Sequence, residues 1–82
     1  MSETLNKVKN VTAEVLKLDP AKIGDGARFT EDLGGDSVRA AEWIAALELE
    51  FDIEMNAREA AGVRSVADAV AMVEMMLARK GG

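Results

Sequence analysis

The chain has 82 residues, enough for one compact domain and too few for two, so residues 1–82 are expected to form a single unit. A net charge of −5 argues against nucleic acid and anionic membranes as partners, which call for clustered Lys and Arg, and favours partners with basic surfaces. Cys and His are both absent, which excludes disulfides, thiolate zinc sites and every Ser-His or Cys-His nucleophile.

Leu5, Val8, Val11 or Thr12, Val15 and Leu16 follow helical spacing and predict a first helix from about Glu3 to Lys17. Pro20, the only proline, disfavours helical geometry at Asp19, which suits an end near Leu18. A long connection rich in Gly, Asp and Thr follows, from Leu18 to Asp36, with Ile23, Phe29 and Leu33 placed to pin it over the core. A second helix is predicted from Ser37 to about Phe51, with Asp36 as its N-cap, an arrangement worth about 1 kcal/mol. Asp52 and Asn56 interrupt the helical pattern, and Ala57 to Ala61 form one short helical turn ending at Gly62. Ser65 with Asp68 resembles a capping box, so the last helix starts at Val66 and turns Val66, Ala69 or Val70, Val73 and Leu77 inward. Gly81-Gly82 reads as a flexible end. No strand alternation is present, so the expected fold is all-α: a small bundle of three main helices plus one short helix.

The opening Met1-Ser2-Glu3-Thr4 lacks the basic segment and apolar run of a secretion signal, and no stretch approaches the length of a membrane span. A cytoplasmic monomer without stable membrane insertion is expected.

The second helix holds two apolar stripes. Trp43, Leu47 and Phe51 recur every fourth residue beside Ala40 and Ile44, and form the core stripe. Trp43 is expected to be mostly buried, with its indole N–H near a partner or the surface. Val38, Ala41 and Ala45 lie on a different side, next to Glu42 and Glu48. Such a patch edged by carboxylates suits docking in a basic groove, and it equally fits an ordinary surface or a helix buried on two sides. Ser37 stands where the loop meets the helix, an exposed hydroxyl at a position where free N–H groups and the helix dipole favour an attached anion. Read alone, Asp36-Ser37 before a helix is more often nothing but a cap.

The segment Phe29-Thr30-Glu31-Asp32-Leu33-Gly34-Gly35-Asp36-Ser37-Val38 resembles the attachment-site signature of acyl carrier proteins, which commonly reads Glu-Asp-Leu-Gly-Ala-Asp-Ser-Leu. The resemblance continues through Glu42, Ala46-Leu47-Glu48, Glu50-Phe51-Asp52, Ile53-Glu54-Met55 and Val66-Ala67-Asp68-Ala69, and so covers nearly the whole chain. It implies that a separate magnesium-dependent holo-carrier-protein synthase (phosphopantetheinyl transferase) esterifies 4'-phosphopantetheine from coenzyme A to Ser37. The thiol of that arm would carry acyl groups as thioesters to enzymes of fatty acid, lipid or polyketide biosynthesis. By the same resemblance Asp36 helps the transferase recognise the site, and Val38, Arg39, Ala41, Glu42, Ala45 and Glu48 meet partner enzymes through basic docking surfaces. Trp43, Leu47 and Phe51 would border an acyl pocket in the core. No catalytic residue and no resident metal is implied, in keeping with the missing Cys and His.

Several positions depart from the signature. Arg39 replaces a usual acidic residue, Leu49 stands where a further one is common, and Ala41 and Ala45 are smaller than the usual Val and Met. Asn56 replaces a frequent proline, and Ala57 and Ala61 thin the acidity of the short helix. These changes bear on the partners: they weaken a housekeeping fatty-synthesis assignment and leave room for a specialised lipid, polyketide or aminoacyl route, with a peptidyl or aminoacyl carrier protein as the alternative. A non-modified acidic interaction module is the reading in another class. A Gly81-Gly82 tail activated as in ubiquitin-like modifiers conflicts with the lack of strands, and the acidic loop lacks the Asp spacing of a calcium loop.

Overall fold

A computed structural model describes residues 3–81. Four α-helices follow one another: α1 (Glu3–Leu16), α2 (Ser37–Phe51), α3 (Ala57–Ala61) and α4 (Val66–Gly81), with a 3₁₀ turn at Pro20–Lys22. Among the described residues no strand forms, and the one β-type contact is an isolated bridge between Arg28 and Ser65. The all-helical expectation therefore holds. α1 packs against both α2 and α4.

Each helix starts and stops for a local reason. α1 ends one residue short of the expected Lys17, because Lys17 takes a left-handed conformation (φ 57°) and the Leu18 N–H donates back to the Ala13 carbonyl. Asp36 caps α2, its side chain accepting the Arg39 N–H at 2.8 Å. Asp52, also left-handed (φ 54°), closes α2 through its N–H to the Glu48 carbonyl. Asn56 and Glu59 form a complete reciprocal capping box on α3. The Ser65 box is only half formed: Ser65 Oγ accepts from the Asp68 N–H, whereas the Asp68 carboxylate reaches past Ser65 to the Arg64 N–H. Gly81 closes α4 rather than lying beyond it, and Gly82 lies outside the described residues.

The principal core gathers Val8, Val11 and Ala13 of α1, Ile23 and Phe29 of the long connection, Trp43 and Leu47 of α2, and Val63, Val66 and Ala69. A second cluster joins Ile53, Val73 and Met76. Ile23 and Phe29 are buried and Leu33 is half-buried, so the connection is pinned as its apolar residues predict. Trp43 is 1% exposed, and its indole N–H donates to Thr12 Oγ1 at 2.9 Å; the Thr12 hydroxyl donates in turn to the Val8 carbonyl at 2.7 Å. The indole is thus satisfied inside the core by α1, not at the surface. The rings of Phe29 and Trp43 stack with centroids 4.3 Å apart and planes 11° apart.

Candidate functional site

The loop that delivers Ser37 is held at both ends. Its upstream part is tied to the α3–α4 connection by backbone bonds from Phe29 N–H to the Arg64 carbonyl and from Val66 N–H to the Ala27 carbonyl, both 2.9 Å. Arg28 grips Asp32 through its backbone N–H and through guanidinium bonds of 3.0 Å to each carboxylate oxygen. That bidentate contact holds the Asp32 carboxyl below its ordinary range and the Arg28 guanidinium above its own. The turn finishes with Gly34 N–H on the Thr30 carbonyl and Gly35 N–H on the Phe29 carbonyl. Gly34 has φ 76°, the left-handed region where a side chain is strained. Gly35 is needed for space, since a Cβ there would lie 2.2 Å from Cε2 of Phe29.

Ser37 follows as the first residue of α2, exposed to solvent. The Arg39 N–H is taken by Asp36 and the Ala40 N–H by the Asp36 carbonyl, so Ser37 and Val38 supply the two leading N–H groups that have no acceptor within the helix. With the positive end of the helix dipole beside them, they suit a singly charged phosphodiester on the Ser37 oxygen. The residues present therefore fit such a group.

Around Ser37 the outward face of α2 carries Val38, Arg39, Ala41, Glu42 and Ala45, all exposed. The helix is not buried on two sides. Arg39 Nη1 pairs with Glu42 Oε1 at 2.8 Å, the i, i+3 contact open to these residues, and the guanidinium is raised by that partner. Glu48 is half-buried near the other end of the helix, and one of its oxygens accepts the Met55 N–H at 2.8 Å. Trp43 and Leu47 (0% exposed) are core residues and Phe51 is half-buried.

The family described as "Phosphopantetheine attachment site" matches residues 6–73 of this chain. The chain belongs to this family of acyl carrier proteins. It is 39% identical over 77 residues to the acyl carrier protein of Phenylobacterium zucineum (strain HLK1), an alignment covering 94% of this chain and 98% of that one. It is 40% identical over 77 residues to the acyl carrier protein of Thermosynechococcus vestitus, covering 94% and 95%. In fold it is similar to the HMG-ACPI domain from the CurA module of Lyngbya majuscula, with a TM-score of 0.83 at 21% identity, covering 98% of this chain and 80% of that one. The cofactor of the family is phosphopantetheine. Acyl carrier proteins are non-catalytic carriers: a transferase attaches their arm, and separate acyl-handling enzymes act on the cargo. No helix among the described residues is long and apolar enough to cross a membrane.

Among the features of the carrier's site that the sequence does not show directly are the contact of Gly35 with Phe29 and the exposure of Leu49. The first depends on a ring position that only the folded loop defines. The second was within reach, because Leu49 lies on the same helical row as Val38 and Ala45.

Proposed function

We propose that residues 1–82 act as one cytoplasmic, monomeric carrier domain with Ser37 as its phosphopantetheine attachment point. The observation that carries this reading is the exposed Ser37 hydroxyl at the first position of α2, on a loop locked by Arg28 and Asp32. A phosphopantetheinyl transferase directs that hydroxyl at the phosphate of coenzyme A. The serine oxygen gains the bond to phosphorus, the adenosine bisphosphate portion leaves, and the hydroxyl proton passes to the transferase. Asp36, fixed on the Arg39 N–H, gives the transferase an oriented carboxylate beside the serine. Once attached, the arm supplies a terminal thiol that holds acyl groups as thioesters.

The net charge of −5 draws the carrier toward basic surfaces on its enzymes, and Val38, Arg39, Ala41, Glu42, Ala45 and Glu48 lie along the helix that presents the arm. The cargo is an acyl intermediate of fatty acid, lipid or polyketide biosynthesis. Sheltering it against Trp43, Leu47 and Phe51 requires the core to open. Trp43 and Leu47 are closed to solvent, and two surface grooves among the described residues, of about 890 and 320 Å³, are lined by other residues. A change in Trp43 fluorescence between the holo-protein and a medium-chain acylated form supports that opening; identical spectra across several chain lengths place the cargo outside.

Incubation with coenzyme A, magnesium and a broad-specificity transferase should add one arm, and Ser37→Ala should add none while melting like the parent. Continued labelling of Ser37→Ala overturns the assignment.

A further inference from the structure

Phe29 and Trp43 are the two aromatic members of a buried core cluster that is otherwise aliphatic. Their rings stack with centroids 4.3 Å apart, and Thr12 Oγ1 takes the Trp43 N–H at 2.9 Å. This layer lies beside the attachment point. Phe29 abuts Gly35, two residues before Ser37, and Trp43 follows Ser37 by about 9 Å along α2. Aliphatic side chains make room by changing rotamer, whereas moving a hydrogen-bonded indole strands a buried donor. Moving Phe29 would also disturb the turn that presents Ser37, since the Gly35 N–H donates to the Phe29 carbonyl at 2.9 Å. Neither surface groove among the described residues is lined by Phe29, Trp43 or Leu47.

A cargo turned inward beside Ser37 has to part this layer, and the size of the cargo decides whether it can. Burying four methylenes would favour insertion by roughly 250-fold, at about fourfold each. Stranding the indole N–H disfavours it by roughly 30-fold, and breaking the ring stack by about fivefold. Crowding the added carbons into a closed core disfavours it by roughly another 30-fold. Together the costs exceed what a short chain returns, and a hydroxyl, oxo or amino group on the chain adds its own lost hydration.

We propose that Trp43 bars small and polar cargo from the core, so that this carrier holds acyl groups of up to about six carbons, or ones bearing polar substituents, outside in solvent. The proposal rests on the reading of Ser37 as the attachment point and adds the class of cargo and its place.

The test loads the full apo chain from acetyl-, butanoyl- and hexanoyl-coenzyme A, with magnesium and a broad-specificity transferase, in the parent, Trp43→Leu and Trp43→Phe. Two readouts follow: the rate at which hydroxylamine cleaves each thioester, and the indole N–H resonance of Trp43 in the parent. The parent should release all three acyl groups at rates within about twofold of one another, with one unchanged indole resonance. Trp43→Leu, which lacks both the N–H and the stack, should release hexanoyl about fivefold or more slowly than acetyl. Trp43→Phe keeps a ring to stack and should fall between them. A parent hexanoyl thioester about fivefold slower than the acetyl one, or an indole resonance that shifts with the cargo, overturns the proposal and leaves the attachment reading intact. Equal release in parent and folded variants also overturns it, because Trp43 is then not what keeps the chain out. A variant that fails to fold leaves the parent rates and the indole resonance to decide. No loading of the parent overturns this proposal and the attachment reading together.

Discussion

Replacing Gly35 by alanine would put a Cβ 2.2, 2.5 and 2.9 Å from three ring carbons of Phe29. Ordinary carbon–carbon contact is about 3.5–4.0 Å, so the ring would have to retreat by more than about 1 Å. It has nowhere easy to go. Phe29 is buried and stacked on Trp43, whose N–H is committed to Thr12, while the Gly35 backbone is fixed to the Phe29 carbonyl. Overpacking of this kind costs about 1–3 kcal/mol. At about 4–8 °C per kcal/mol for a domain of this size, melting should fall by roughly 5–20 °C. The assay is thermal unfolding by circular dichroism, repeated in a Phe29→Leu background where the obstructing ring edge is gone. There the same Gly35→Ala change should cost less than about 0.5 kcal/mol, which makes the two sites strongly coupled. A Gly35→Ala protein melting within about 2 °C of the parent, or an equal loss in both backgrounds, would refute the reasoning.

Thr12→Val strands the buried Trp43 N–H and should destabilise the fold by about 1–3 kcal/mol in urea unfolding, with Thr12→Ser closer to the parent. Arg28 lowers the Asp32 carboxyl below its ordinary value of about 3.9, so its contribution to stability is present above that value and is lost as pH falls through the lowered one. Carboxyl NMR should show Asp32 titrating low and returning toward its ordinary value in Arg28→Gln; an unchanged titration contradicts the clamp. Arg39→Asp should leave melting nearly unchanged, since an exposed i, i+3 pair contributes about 0.2–0.5 kcal/mol. The same change should speed association with enzymes whose docking surfaces are basic, most visibly at low salt, and equal rates for variant and parent would make Arg39 plain surface.

The helix boundaries were legible where a chemical stop signal met apolar periodicity. Asp36 before a helical row gave Ser37–Phe51, and Asn56 with Gly62 bracketed Ala57–Ala61. The Arg39–Glu42 pair sits at the i, i+3 spacing that brings two side chains together on a helix. What stayed hidden is either too short or too distant along the chain. The 3₁₀ turn at Pro20–Lys22 has no period to detect, although the Asp19 side chain caps it by accepting the Ala21 N–H. The stack of Phe29 on Trp43, the bond from Trp43 to Thr12 and the bridge of Arg28 to Ser65 join separate elements, and local pattern does not specify them. The space needed at Gly35 follows from that packing.

That Ser37 bears the arm is tested most directly on protein isolated from its own cells. Proteolysis followed by tandem mass spectrometry should find one phosphopantetheine group, free or acylated, on the peptide containing Asp36-Ser37-Val38, with its phosphate on the Ser37 oxygen. Isolated protein that carries the group on another hydroxyl, or that carries none while a co-purified carrier is fully loaded, would contradict the assignment.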